Sequence, residues 1–88
     1  MMFKLGQIVA TPGALETMDR LDVNPSSLVK RHANGDWSDM CDEDAEANRQ
    51  AAEGKERILS SYEIKGEKVW VITEWDRSVT TLLLPSEY

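Results

Sequence analysis

Two rhythms of apolar spacing divide the chain near residue 57. After that point it reads in twos: "RILSSYEI" sets Ile58, Ser60, Tyr62 and Ile64 against Leu59, Ser61 and Glu63. "KVWVITEW" follows, rich in β-branched and aromatic residues, and then "VTTLLL". The turns "KGE" and "WDRS" join these stretches and Pro85 ends the last, so the pattern predicts a meander of three antiparallel strands. Its middle strand is apolar on both faces, Val69 and Val71 on one, Trp70 and Ile72 on the other. Helices are expected over one face, and a partner or the loops of the first strand over part of the other.

Before residue 57 the spacing is mostly helical. "TPGALETMDRL" carries Ala14, Leu15, Met18 and Leu21 at helical intervals, with Thr11 as cap and Pro12 at the first helical position. Asn24 and Pro25 open a second helix, in which Leu28, Val29 and His32 share a face and Lys30 and Arg31 lie near the negative end of the dipole. Asn34 and Gly35 stop it. A third helix should begin within "SDMCDED" and run to Gly54, its alanine-rich interior packing closely but burying little area. Ahead of all this, "FKLGQIVAT" alternates loosely, Ile8 and Ala10 against Gln7 and Val9, and predicts a short strand whose start Gly6 weakens. The expected architecture is a single α+β domain over residues 1–88. Two to three N-terminal helices pack on a three- to four-stranded antiparallel sheet, made of the C-terminal meander plus the short N-terminal strand at its edge.

Composition narrows the function classes. With 88 residues, 41% of them hydrophobic and 30% charged, the chain suits one modest core. No apolar run approaches the roughly 20 residues of a membrane span, and the opening "MMFKLGQIVA" lacks a secretory signal pattern. A single cysteine cannot form an internal disulfide, so the expected setting is cytoplasmic. A pI near 4.6 argues against direct nucleic-acid binding and against an anionic membrane surface.

The net charge of −6 has one source. Residues 36–46, "DWSDMCDEDAE", hold six of the sixteen acids and none of the ten bases, so the rest of the chain sums to zero. Carboxylates in a first helical turn are stabilised by the positive helix end, and two or three of them are accounted for in that way. The surplus among Asp36, Asp39, Asp42, Glu43, Asp44 and Glu46 reads as a surface that meets something cationic. Trp37 stands among them either as a hydrophobic staple packed before the helix or as an aromatic anchor inside an acidic rim.

Other chemistries fit less well. A calcium loop starting at Asn34 matches at Asp36 and Ser38 but meets Asp39 where glycine belongs and Ala45 where the bidentate glutamate belongs. One Cys and one His, nine residues apart, exclude a closed zinc site, and no metal or cofactor is expected. Cys41, with Asp39, Asp42, Glu43 and Asp44 close in sequence, is expected to be poorly ionised and partly buried rather than nucleophilic. His32, on the apolar face with Leu28, reads first as a hydrogen-bonded core histidine. As a general base it would need Glu74, Asp76 or Arg77, from "TEWDRS", brought to it around a pocket. That stretch also reads simply as a polar turn in which Asp76 bonds nearby backbone.

The stretches "RHANGDWSDMCDED" and "VWVITEWDRSVTTLLLPSEY", with the opening "FKLGQIVATPGALE", resemble a family of short bacterial plasmid-related proteins carried on mobile elements. The resemblance spans nearly the whole chain and implies a bacterial, cytosolic setting linked to mobile DNA. It supplies no catalytic residues. Together these readings predict a small acidic, non-enzymatic binding protein that docks a basic surface of a protein partner around Trp37. A sharper version has its carboxylates imitate DNA phosphates, as an anti-restriction protein would. The alternative is a small enzyme with a His32, Glu74, Asp76 and Arg77 pocket. A homodimer covering the exposed sheet face would relieve the small core.

Overall fold

The two proline-led helices begin where their caps stand. In the computed structural model, which describes residues 1–88, α1 runs Pro12–Arg20 and α2 runs Pro25–Ala33. The Thr11 hydroxyl oxygen accepts the Ala14 N–H at 3.1 Å, and the Asn24 side-chain oxygen accepts the Ser26 N–H at 3.0 Å. Both bonds satisfy donors that a first helical turn leaves free. At the far end of α2 the chain turns through Gly35, at φ +71°. The Gly35 and Asp36 N–H groups then return to the His32 and Arg31 carbonyls, closing the helix and bringing Asp36 back beside Arg31. Helix α3, Asp42–Glu53, follows without a side-chain cap at Cys41, its first turn holding Asp42, Glu43 and Asp44.

Four strands form one sheet: β1 (Gln7–Ala10), β2 (Ile58–Ile64), β3 (Glu67–Thr73) and β4 (Val79–Leu83), in the order β1-β4-β3-β2. Strands β2 to β4 make the predicted antiparallel meander, with Tyr62 opposite Val69 and Val71 opposite Leu82. Strand β1 joins the edge but runs parallel to β4, Gln7 opposite Val79 and Ala10 opposite Leu82, so the sheet is mixed rather than wholly antiparallel. Alternation within a strand carries no directional information. The long path through three helices and two strands between β1 and β4 supplies the crossover that a parallel neighbour requires.

One sheet face meets the helices. Ala14, Met18, Leu28 and Val29 pack on Tyr62, Val69, Val71 and Leu82, and a second cluster joins Phe3, Trp37, Ala45, Ala51 and Ile58. The stripe expected on α1 is only partly inward, since Leu15 is 47% exposed while Thr17 is buried. The opposite face is covered in part by the chain's own end. A 3₁₀ turn over Pro85–Glu87 leads to Tyr88, whose ring meets Trp70 edge-on at 5.4 Å.

The two sheet edges are treated differently. Along β2, the Asn48 amide of α3 donates to the Leu59 carbonyl at 2.8 Å and accepts the Leu59 N–H at 3.3 Å, while Asp39 accepts the Glu63 N–H at 3.0 Å. Helix α3, through Asn48, and the segment before it, through Asp39, thus cover that edge with side chains. Strand β1, at the other end, has no such cover, and Ile8 and Val9 are 49% and 38% exposed. No helix is long and apolar enough to cross a membrane.

Candidate functional site

Ser60 sits between Ile58 and Tyr62 on the inward face of β2, a polar residue where packing calls for an apolar one, and it marks a buried hydrogen-bond chain. The chain's direction follows from donor counting. Leu5's carbonyl can only accept, so the Thr80 hydroxyl donates to it at 2.7 Å. Thr80 must then accept from Thr73 at 2.7 Å, and Thr73, its one hydrogen used, accepts from His32 Nε2 at 2.8 Å. The imidazole is therefore the Nε2–H tautomer. Its bare Nδ1 accepts from Ser60 at 2.5 Å, and Ser60 accepts from the Trp37 indole N–H at 2.7 Å. All five side chains are buried, and every polar atom in the run has a partner.

This arrangement holds His32 neutral. Burial lowers its pKa to about 4. A second ring proton would sit on Nδ1, the acceptor of the Ser60 hydrogen, and set two donors against each other in the core. Phe3 closes the site, packing edge-on against His32 at 5.0 Å and lying under the Arg77 guanidinium at 5.8 Å. The histidine is a core member, with no open space for a substrate at either nitrogen.

The remaining members of the catalytic alternative are engaged elsewhere. Arg77, at φ +59°, sends its guanidinium to the carbonyls of Ala51 at 2.9 Å and Gly54 at 3.2 Å, clamping the end of α3, and to that of Glu56 at 2.6 Å. Asp76 accepts the Ser78 N–H at 3.1 Å and the Ser78 hydroxyl at 2.6 Å, the local turn that its side chain predicts. Those two bonds hold its carboxyl below the usual carboxylate range. Glu74 is half-buried, its backbone paired to Val79. A surface hollow of about 300 Å³ adjoins Asp76, Arg77, Lys55 and the exposed Trp75, but His32 does not line it. The fold does not gather His32, Glu74, Asp76 and Arg77 around one concave space.

The acidic stretch divides into two groups. Asp36 pairs with Arg31 at 2.7 Å and receives the Ser38 hydroxyl at 2.7 Å, which together lower its pKa to about 2. Asp39 lies 3.6 Å from the same arginine, and Glu46 meets Arg49 at 3.1 Å. Arg31 itself lies over the Tyr62 ring, 4.4 Å from its centroid, and the Tyr62 hydroxyl donates to the Asp36 carbonyl at 2.9 Å. Asp42, Glu43 and Asp44 differ: all three are exposed on the first turn of α3, and none has a basic group within 4.0 Å. Beside them opens a polar hollow of about 310 Å³, flanked by Asp36, Asp42 and Arg49 and backed by Trp37.

Trp37 is only 4% exposed, so the indole supports this surface from beneath rather than presenting itself to a partner. Cys41 is exposed, against the expectation of partial burial: it is the extended residue ahead of α3, at φ −68° and ψ 158°, and so lies outside the helix whose Ala45, Asn48 and Ala51 are buried. No group of three or more His, Cys, Asp or Glu side chains is placed to hold a metal ion.

Arg31, Asn48 and Thr73 were not legible as key residues. Only Ser60 gave a sign, as a small polar residue on an inward face. Comparison with protein-family models, curated proteins and solved structures finds no match to this chain.

Proposed function

We propose that this protein is a non-enzymatic binding module whose acidic surface, at the start of α3, docks a basic patch on a protein partner. The observation that carries the reading is the contrast within one segment. Asp36, Asp39 and Glu46 have intramolecular cations, while Asp42, Glu43 and Asp44 are exposed and have none. Of the charged walls of the hollow, Asp36 is paired to Arg31 and Arg49 to Glu46, so a partner's long cationic side chain would be held at the Asp42 rim, where the unpaired carboxylates begin. Cations from a partner would also relieve the repulsion among three neighbouring carboxylates. The phosphate-imitating form of the idea is weaker, because the free carboxylates occupy a single helical turn rather than a long face. A mobile-element setting in bacteria is compatible with this role and rests on the family resemblance alone.

The test is affinity capture from a bacterial lysate on immobilised protein, comparing the wild type with the triple variant Asp42→Asn, Glu43→Gln, Asp44→Asn. Expected is a specific partner retained by the wild type, lost by the variant, and released as salt rises toward roughly 1 M, where the screening length is about 3 Å. Equal retention by the triple variant, or indifference to salt, overturns the reading.

A further inference from the structure

We infer that the open edge of β1 is a self-association surface, joining two copies of this chain into a two-fold symmetric dimer through an eight-stranded sheet. The inference is independent of the acidic surface. It rests first on what the edge offers. The Gln7 and Thr11 N–H groups donate to the Ser78 and Leu82 carbonyls, each at 3.0 Å, so strand alternation turns the amides and carbonyls of Ile8 and Ala10 away from β4. The open edge ends there. Gly6 turns the chain at φ +65° on one side, and Pro12 starts α1 on the other.

Antiparallel pairing of this edge with its own copy matches that short run. With the two-fold axis at Val9, Ile8 of each copy faces Ala10 of the other as a hydrogen-bonded pair. The two pairs use every outward N–H and C=O of both copies and leave none over. The side chains agree with this register. Small Ala10 leaves room for Ile8, and both lie along a mainly apolar groove of about 380 Å³ that continues over Pro25, Val29 and Leu82, with Lys30 also among its lining. On the other face, Val9 meets its own counterpart at the axis, where a non-hydrogen-bonded pair brings side chains closest.

Three further observations favour a second copy over an unrelated extended segment. Two outward residues are a short grip for a long peptide, yet they fully satisfy their own image. The strand Gln7–Ala10 is short, which by itself limits pairing, but carries no charged residue, proline or bulge to blunt it further, whereas the opposite edge is bonded by Asn48 at Leu59 and by Asp39 at Glu63. Finally, the free acids lie beyond β2, three strand spacings or about 14 Å across the sheet from β1. Two chains of net charge −6 therefore meet along strands that carry no charge, with Lys30 beside the groove and the free acids farther from the axis than the screening length of about 8 Å. This places the dimer at the edge rather than over the middle-strand face, part of which Tyr88 already covers at Trp70.

Analytical ultracentrifugation of the full chain, from roughly 10 µM to about 1 mM, tests this, since a dimer with a dissociation constant up to about a millimolar is populated there. The wild type is expected to shift to dimer with concentration. Val9→Arg and Val9→Glu, each placing like charges opposite one another at the axis, are expected to weaken the dimer by about tenfold or more. An equimolar mixture of these two variants is expected to recover it. Val9 is 38% exposed, so both variants keep the fold, which circular dichroism checks. A wild type that stays monomeric throughout overturns the inference, as does a dimer that Val9→Arg leaves intact or a mixture that fails to restore association. A monomer that binds extended peptides along β1 overturns the second copy as occupant.

Discussion

His32 shows how a titratable residue on an apolar face becomes structural. Its Nδ1 takes the Ser60 hydrogen, its Nε2–H goes to Thr73, and no water-filled space touches the ring. The pH consequence has a definite sign. With its folded pKa at about 4 against 6.5 for the free side chain, the unfolded chain binds the proton first. Stability is therefore whole above pH 6.5 and falls as pH drops toward 4, by about 3 kcal/mol for a shift of this size. Asp36, held at about 2 by Arg31 and Ser38, adds a smaller loss of the same sign as pH falls from 3.8 toward 2. Burial raises Tyr62 to about 12, which adds a loss as pH climbs from 10 toward 12. Urea titrations across the pH range should show a plateau from about 6.5 to 10 with these flanks. His32→Gln should flatten the step between 6.5 and 4 and leave the lower one.

Strand β1 depends on a single backbone position for its place in the sheet. Gly6 adopts φ +65°, and an added Cβ there would strike the Arg77 and Ser78 carbonyls. Gly6→Ala therefore combines left-handed strain with a backbone overlap that no side-chain rotation relieves, and is expected to cost about 2–4 kcal/mol. Chemical denaturation measures the loss, and faster hydrogen exchange at Gln7 and Thr11 would locate it at the β1–β4 ladder. An unchanged midpoint would show that the turn at Gly6 adjusts freely. Glycine in this place was visible beforehand only as a weak strand start, because its conformation is imposed by a hairpin more than seventy residues away.

Across the sheet the protein has two ends of different character. One is closed by α3 and carries the free carboxylates, and the other is an uncharged open strand. If each end serves its own interaction, substitutions should separate them. The triple variant at Asp42, Glu43 and Asp44 should leave the dimer dissociation constant within about twofold at physiological salt, since these charges lie beyond the screening length from the axis. Conversely, Val9→Arg should leave partner capture intact. Parallel sedimentation and capture experiments read both outcomes, and a cross-effect in either direction would show one continuous surface instead of two.

Local chemistry was enough to place most elements. Caps at Thr11 and Asn24, prolines after them, the Asn34–Gly35 stop and the period-two alternation from Ile58 onward all act within a few residues, and the elements formed there. The Asp76 turn and the core position of His32 were legible for the same reason. What depended on distant contacts was not. The parallel direction of β1, the exposure of Leu15 and Cys41 and the closing of β2 by Asn48 each arise from residues brought together across the chain, and the choice between the two readings of Trp37, packed or presented, was made there too. The acidic stretch makes the distinction plain. Its six charges are countable in the sequence, but their division into paired and free was set by where the turn after α2 returned Asp36 and Asp39 to Arg31. Charge is a local property of the residue, whereas its compensation is a property of packing.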